Sequence, residues 1–358
     1  MQGPFFDLFT SNAKSLDLLK RWEGELLTEA QAMALATQWA WFYQGATAPN
    51  PSVGAVALSE QGVVLGMGGH RCAGEPHAEV EAIQAARGAH SDSTSPRSIH
   101  TLVVTLEPCS HHGKTPPCTK IIQETGVQRV IYGCQDPNPL SRGKSKPILS
   151  RAGIEVTQAS EPAVFESLIF GFQQRLSLGI PKITVKLAID EKGSMLPPKN
   201  QKTFTRQSSL KLAHQLRRRA DAIVTSAETI LNDHPLFTVR EVNDHPGKQR
   251  LLIIMDRRGR LSEATLDLYA RRGFHVIRMK ALDEGFRVAA HHGCNEVLVE
   301  AGPTLSNAVL SSSLWNEKIV IKKMKTHDEI QTFWNPRLGT RPRNEPPSPD
   351  LLLESVYV

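Results

Sequence analysis

Three side chains far apart in the sequence, His77, Cys109 and Cys118, make a ligand set for one metal ion, so any fold this chain adopts must bring them together. His77 opens the stretch His77-Ala78-Glu79, which is followed by a helical and then a strand-like run leading to Glu107-Pro108-Cys109. A loop, Ser110-His111-His112-Gly113-Lys114-Thr115-Pro116-Pro117, then closes on Cys118. One imidazole and two thiolates suit Zn2+, and three protein ligands leave a tetrahedral ion the open position that marks a catalytic site. Water at such a position yields hydroxide near neutral pH. A structural zinc would want a fourth ligand, for which His70 and Cys72 are the near candidates. Cys72, Cys134 and Cys294 read as ordinary small apolar residues, whereas the ordered combination with Glu79 sets His77, Cys109 and Cys118 apart.

Zinc-dependent base deaminases use a glutamate that is not a ligand to carry a proton to the departing amine, in an H-x-E and P-C-x-x-C arrangement. Glu79 stands in that place as the candidate catalytic residue. The second half departs from the pattern, since eight residues separate Cys109 from Cys118. The fourteen residues Thr105-Leu-Glu-Pro-Cys-Ser-His-His-Gly-Lys-Thr-Pro-Pro-Cys118 closely resemble the deaminase half of the bifunctional riboflavin biosynthesis deaminase and reductase family. Pro49-Asn50-Pro51-Ser52-Val53-Gly54-Ala55-Val56 upstream and Gln135-Asp136-Pro137-Asn138-Pro139 downstream agree with it.

The resemblance implies hydrolytic deamination of 2,5-diamino-6-(5-phosphoribosylamino)pyrimidin-4(3H)-one, with Glu79 shuttling the proton. It places Asn50, His70, His111 and Lys114 around the pyrimidine and its phosphoribosyl group. Lys114 suits a phosphate, being a mobile positive charge in a loop anchored at both ends. His112 reads as an exposed loop histidine.

A chain of 358 residues is long enough for two domains, each with its own core. We expect an N-terminal extension over 1–27, a deaminase domain over 28–180 and a reductase-like domain over 181–358. In the extension, Leu16, Leu18, Leu19 and Trp22 group on one face of a short helix that docks on the body. Thr28 and Gln31 form a capping box for the next helix. Strands follow at Ala55–Ala57 and Val63–Leu65, a helix at His77–Arg87, a strand at Thr101–Leu106 and a helix at Thr119–Thr125. Val127–Tyr132 and Gly153–Thr157 complete a layered α/β unit with a largely parallel sheet. Both halves of the metal site would then lie at helix starts, where amide groups and the helix dipole favour thiolates. Pro181 sets the boundary at Gly179-Ile180-Pro181.

Beyond it, strands at Lys182–Ala188, Ala222–Thr225, Leu251–Met255, His275–Met279 and Glu296–Glu300, with a helix at Ser208–Ala220, give a second α/β domain. No G-x-G-x-x-G follows any of these strands, so a Rossmann dinucleotide domain is not expected. Here the chain resembles the reductase half of the same family through Val185–Ala188, Leu216–Arg240 and Val299–Leu305. The fold implied is a cytidine-deaminase-like three-layer domain followed by a dihydrofolate-reductase-like α/β domain. The cofactor implied is NADPH, placed against Ala188, Thr229, Asp233 and Gly302. Lys186, Arg217, Phe237, Arg240 and Glu300 would surround the sugar phosphate, and the reaction would reduce 5-amino-6-(5-phosphoribosylamino)uracil to its ribitylamino product. Gly302 precedes a helix near Thr304, where bare backbone can approach a phosphate, and the two arginines can grip one through paired donors.

Three departures set up an alternative, a deaminase whose second domain is a degenerate scaffold. Asp190-Glu191-Lys192-Gly193 replaces S-L-D-G, Gln201 to Thr205 replaces a stretch with a serine and a tryptophan, and Ile321-Lys-Lys-Met-Lys-Thr replaces an apolar strand and turn. The net charge of +6 and pI near 9.1 suit a phosphorylated small-molecule substrate. Aromatic residues make up 6% of the chain and no basic-aromatic platform flanks the metal motif, which argues against nucleic acid as partner. A zinc-stabilised interaction module would have no use for Glu79. No apolar run reaches the ~20 residues of a membrane span, and the N-terminus lacks a secretory pattern. Five cysteines without a disulfide framework fit the cytoplasm. The sequence leaves the oligomeric state open, a homo-oligomer included.

Overall fold

The computed structural model describes residues 16–17, 19–88, 98–113, 115–195 and 206–335. The chain divides into two compact units between Gln173 and Gln174.

In the first unit, helix α1 (Glu29–Tyr43) starts at the expected capping box. The Gln31 N–H donates to Thr28 Oγ1 at 3.3 Å, and the Thr28 N–H donates to Gln31 Oε1 at 2.9 Å. Strands β1 (Gly54–Leu58), β2 (Val64–Gly69), β3 (Thr101–Leu106), β4 (Arg129–Cys134) and β5 (Glu155–Gln158) form one sheet in the order β2-β1-β3-β4-β5. Helices α2 (Ala78–Gly88), α3 (Cys118–Thr125), α4 (Ser145–Arg151) and α5 (Pro162–Leu168) complete the unit, and α6 (Phe170–Leu178) carries the chain across the division.

This sheet is mixed, which corrects the expectation of a largely parallel one. β1 pairs antiparallel with both β2 and β3, and parallel pairing begins only at β3–β4 and β4–β5. The tight turn at Ser59–Gly62, closed by a Gly62 N–H to Ser59 O bond of 3.1 Å, is far too short for the crossover that parallel neighbours need.

Two glycines show why the layers lie so close. A Cβ at Gly54 would collide with the α1 backbone at Ala36 and Ala40, and one at Gly66 would collide with the α2 backbone at Ala82 and Ala86. Gly66 pairs with Ala57, three residues along β1 from Gly54, so the two glycines open opposite faces of the sheet. Helices α1 and α2 therefore cover opposite faces, and the unit has three layers. The same glycines hid the length of β2, which runs to Gly69 and not to Leu65. Leu16, Leu19 and Trp22 of the N-terminal extension pack on the core of this unit, while Leu18 is outside the described residues.

The second unit holds a seven-stranded sheet in the order β12-β11-β6-β10-β7-β8-β9. Its strands are β6 (Lys182–Ile189), β7 (Ala222–Ser226), β8 (Arg250–Met255), β9 (Phe274–Met279), β10 (Glu296–Val299), β11 (Glu317–Lys323) and β12 (Asp328–Trp334). All neighbours run parallel except β11 and β12. Helices α7 (Gln207–Arg219), α8 (Ala227–Asp233), α9 (Glu263–Arg271), α10 (Leu282–His291) and α11 (Pro303–Ser311) connect them. Apolar residues of the central strands, among them Ile183, Val185, Val224, Ile253, Val297 and Val299, form the core with Phe286.

The apolar strand that the sequence reading found replaced near Ile321 is present as β11. Ile319, Val320 and Ile321 are buried there and pair with β6, and the lysines lie toward the strand's end. Among the described residues no helix is long and apolar enough to cross a membrane.

Candidate active sites

The first site assembles where α2 and α3 begin. His77 immediately precedes α2, Cys109 follows β3, and Cys118 is the first residue of α3. Their ligand atoms all lie within 4.8 Å of one another. His77 Nδ1 is 3.6 Å from Cys109 Sγ and 3.3 Å from Cys118 Sγ. Its Nε2 is 3.3 Å from the Thr115 hydroxyl. Donation of Nε2–H to Thr115 leaves the Nδ1 lone pair for a metal, the arrangement by which an outer partner fixes a ligating histidine.

The start of α3 supports the sulfurs. The Cys118 N–H donates to Cys109 Sγ at 3.2 Å, and the Thr119 N–H donates to Cys109 O at 3.2 Å. A hydrogen bond from the Cys118 thiol, with help from His77, holds the Cys109 thiol down at about 4. The same pairing, together with burial and the nearby Glu79, pushes the Cys118 thiol up. The donor set of one nitrogen and two sulfurs at these separations fits a zinc ion.

A fourth protein ligand is not supplied by either candidate from the sequence. Cys72 is exposed. His70 Nδ1 lies 3.1 Å from Pro76 O, which can only accept, and its Nε2 lies 3.0 Å from Asn50 Nδ2, which can only donate. Both ring nitrogens are thus committed, and burial pushes this imidazole down to about 4, so it stays neutral. Among the described residues only His77, Cys109 and Cys118 group as ligands, which would leave a tetrahedral zinc its fourth position.

Glu79 lies in the first turn of α2 and is 4% exposed. Burial raises its carboxyl to about 7, where a carboxyl can both take and give a proton near neutrality.

Asn50 and His70 are brought together beside His77, whose ring packs edge-on to His70 with centroids 5.1 Å apart. His111 sits on the loop between the cysteines, with Nδ1 2.8 Å from Ser141 Oγ. Lys114 lies outside the described residues. Thr115, Ser141 and Glu107 were not singled out from the sequence as site residues. Thr115 and Glu107 stand inside the quoted motif, but nothing in that motif says which partners they take.

In the second unit the Glu300 carboxylate is 5% exposed, accepts from Arg217 Nε at 2.7 Å and forms an ion pair with Lys186 Nζ at 3.2 Å. Burial alone would raise this carboxyl, yet the two cations overcome it and hold it at about 2. Arg217 and Arg240 both reach the Thr238 carbonyl, each at 3.3 Å. The Arg240 N–H donates to His214 Nδ1 at 2.7 Å. Thr229 and Gly302 are also joined, through the Gly302 N–H to Thr229 Oγ1 bond of 3.1 Å, at the starts of α8 and α11.

Other expected contacts stand differently. Phe237 is 2% exposed, with its ring in a core cluster beside Tyr269, so a contact from Phe237 to a ligand would come from its backbone. Ala188 is half-buried on β6 beside Ile321 of β11, and Asp233 is exposed at the end of α8. Asp190-Glu191-Lys192-Gly193 makes a tight turn after β6, in which the Asp190 carboxylate accepts from the Lys192 and Ser194 amides at 2.9 and 2.8 Å. Gln201 and Thr203 lie outside the described residues.

A three-layer unit holding one imidazole, two sulfurs and a buried glutamate defines a zinc-binding deaminase, and residues 27–134 match the family model described as the cytidine and deoxycytidylate deaminase zinc-binding region. Residues 181–322 match the RibD C-terminal domain. The riboflavin biosynthesis protein RibD of Escherichia coli is 33% identical over 322 residues, covering 80% of this chain and 85% of that protein. RibD of Aquifex aeolicus is 41% identical over 230 residues, covering 63% of this chain and 60% of its own. A solved deaminase/reductase structure from Thermotoga maritima superposes with a TM-score of 0.72 at 29% identity, covering 84% of this chain and 89% of that one. The chain belongs to the riboflavin biosynthesis protein RibD family. It is a bifunctional enzyme with a zinc-binding deaminase domain and a reductase domain. The alternative of an inactive second unit is not favoured, since that unit matches the reductase domain.

Proposed function

We propose that the first unit deaminates 2,5-diamino-6-(5-phosphoribosylamino)pyrimidin-4(3H)-one and that the second reduces the product, 5-amino-6-(5-phosphoribosylamino)uracil, with NADPH. The Thermotoga maritima protein is described as a diaminohydroxyphosphoribosylaminopyrimidine deaminase and 5-amino-6-(5-phosphoribosylamino)uracil reductase, which supports this reading. The observation that carries the reading is the cluster of His77, Cys109 and Cys118, with the buried Glu79 close enough to interact with the His77 ring and the Cys118 sulfur. Zinc held by these three residues supplies the Lewis acidity that makes water a nucleophile near neutral pH. Glu79 accepts the proton of the attacking water and delivers it to the amine that leaves as ammonia. Asn50, its amide oriented by His70, and His111 hold the pyrimidine, and Lys114 takes the phosphate.

In the second unit NADPH supplies the hydride that converts the ribosyl carbon to its ribityl form. Gly302 and Thr229 hold the cofactor together with Ala188 and Asp233. Arg217, Arg240 and Lys186, ordered by Glu300 and Thr238, hold the sugar phosphate, and Phe237 contributes backbone. The deaminase and reductase halves meet at the division between Gln173 and Gln174, a little before the boundary expected at Pro181, and the enzyme works in the cytoplasm on a small phosphorylated substrate, without nucleic acid.

The test is Glu79→Gln in the full-length zinc enzyme. Zinc content should stay unchanged while ammonia release falls by about 100- to 10,000-fold, the usual contribution of a proton carrier. NADPH oxidation by the deaminated intermediate should persist in the same preparation. Ammonia release at the parent rate, or a failure of NADPH to be oxidised by the parent enzyme, would overturn the corresponding half.

A further inference from the structure

The carboxylate of Glu107, two residues before the metal ligand Cys109, never faces the metal. It is 3% exposed and points into the segment that follows β4. Its Oε1 accepts from the Ser145 N–H at 3.1 Å and the Ser145 hydroxyl at 2.9 Å. Its Oε2 accepts from the Gly143 N–H at 2.9 Å and the Asp136 N–H at 3.3 Å. Four donors from three residues thus converge on one carboxylate, which ties both ends of the 136–145 segment to the strand bearing the ligand motif. A buried carboxylate would be costly there without them.

The segment so fixed carries Ser141, itself fully buried, whose hydroxyl oxygen is 2.8 Å from Nδ1 of His111. This bond engages one ring nitrogen of His111 and leaves Nε2 to face a ligand.

We infer that Glu107 and Ser141 are positioning residues of the deamination: Glu107 fixes the 136–145 segment, and Ser141 fixes the orientation of the His111 ring toward the substrate. The inference rests on the proposed contact of His111 with the pyrimidine substrate. It predicts that the site meets a polar group of that substrate at His111 Nε2.

The test compares Ser141→Ala, Glu107→Gln, His111→Ala and the double variant Ser141→Ala/His111→Ala in the zinc-loaded full-length enzyme, reading KM and kcat for ammonia release. Ser141→Ala should raise KM by about two- to tenfold with kcat and zinc content little changed, the size of one lost hydrogen bond. Glu107→Gln turns an amide donor toward amide donors and should raise KM at least as far. In the His111→Ala background Ser141→Ala should have no further effect on KM. A purely structural role would lower the active fraction, and so apparent kcat, while KM stayed at the parent value. If His111→Ala raises KM but Ser141→Ala does not, or if the two effects add, the positioning inference fails alone. If His111→Ala leaves KM unchanged, the substrate contact of His111 fails and this inference with it. Should Glu107→Gln not fold, the Ser141 cycle still decides.

Discussion

Replacing Glu300 by glutamine should destabilise the second unit by about 3 kcal/mol at neutral pH. The carboxyl is held at about 2 against an ordinary 4.5 by Arg217 and Lys186, a preference for the ionised form of about 300-fold, or about 3 kcal/mol. Glutamine keeps the shape and removes the charge, which leaves two cations only 14% and 18% exposed without their counter-ion. The sign follows from the depressed value. The stabilisation is complete above about 4.5 and is lost as pH falls toward about 2. Urea unfolding, read by hydrogen-exchange mass spectrometry on peptides covering β10, should therefore show a gap between parent and variant of about 3 kcal/mol at pH 7, shrinking to about half that at pH 3. Equal stability at pH 7, or a gap that widens in acid, would refute the view that the two cations hold Glu300 ionised.

Three further outcomes follow from the first unit. Thr115→Ala should weaken zinc binding by about 10- to 100-fold, since it removes the partner that fixes His77, and a competition titration with a chelator reads this directly. Full chelation should abolish ammonia release and spare NADPH-linked reduction, which draws on the other unit. Gly66→Ala should destabilise the first unit by about 1–3 kcal/mol by forcing a methyl group into the α2 backbone, measurable as a lower urea midpoint for peptides of β1 and β2.

The metal centre was legible in the sequence because each ligand is a residue type with one dominant use in that order, and two of the three share a single motif. The helices that bring them together were legible to within a residue of their starts, at His77 and Thr119 against the observed Ala78 and Cys118. The partners of the motif residues were not. Thr115 against His77, and Ser141 against His111, are pairings 38 and 30 residues apart that only the folded backbone decides. Glycine conceals strand in a specific way: the expected strand stops at Leu65, yet Gly66, Gly68 and Gly69 extend β2, because the helices on either face come too close for side chains. Lysine misled likewise at β11, where the burial of Ile319 to Ile321 outweighs the charge of its neighbours. Phe237 carries a ligand role by resemblance, which falls to its backbone because its ring lies in the core.

The loop from Cys109 to Cys118 leaves and returns at the same pair of sulfurs, so an ion seated there also ties a knot in the chain. Such a tie draws its strength from the unfolded state, which it deprives of freedom. Scarcity of zinc would then undo more than the chemistry of one step: it would unlace the loop bearing His111 and Lys114 and dissolve the pocket itself. Starvation for the metal would leave a half-working enzyme, still able to reduce an intermediate it could no longer make.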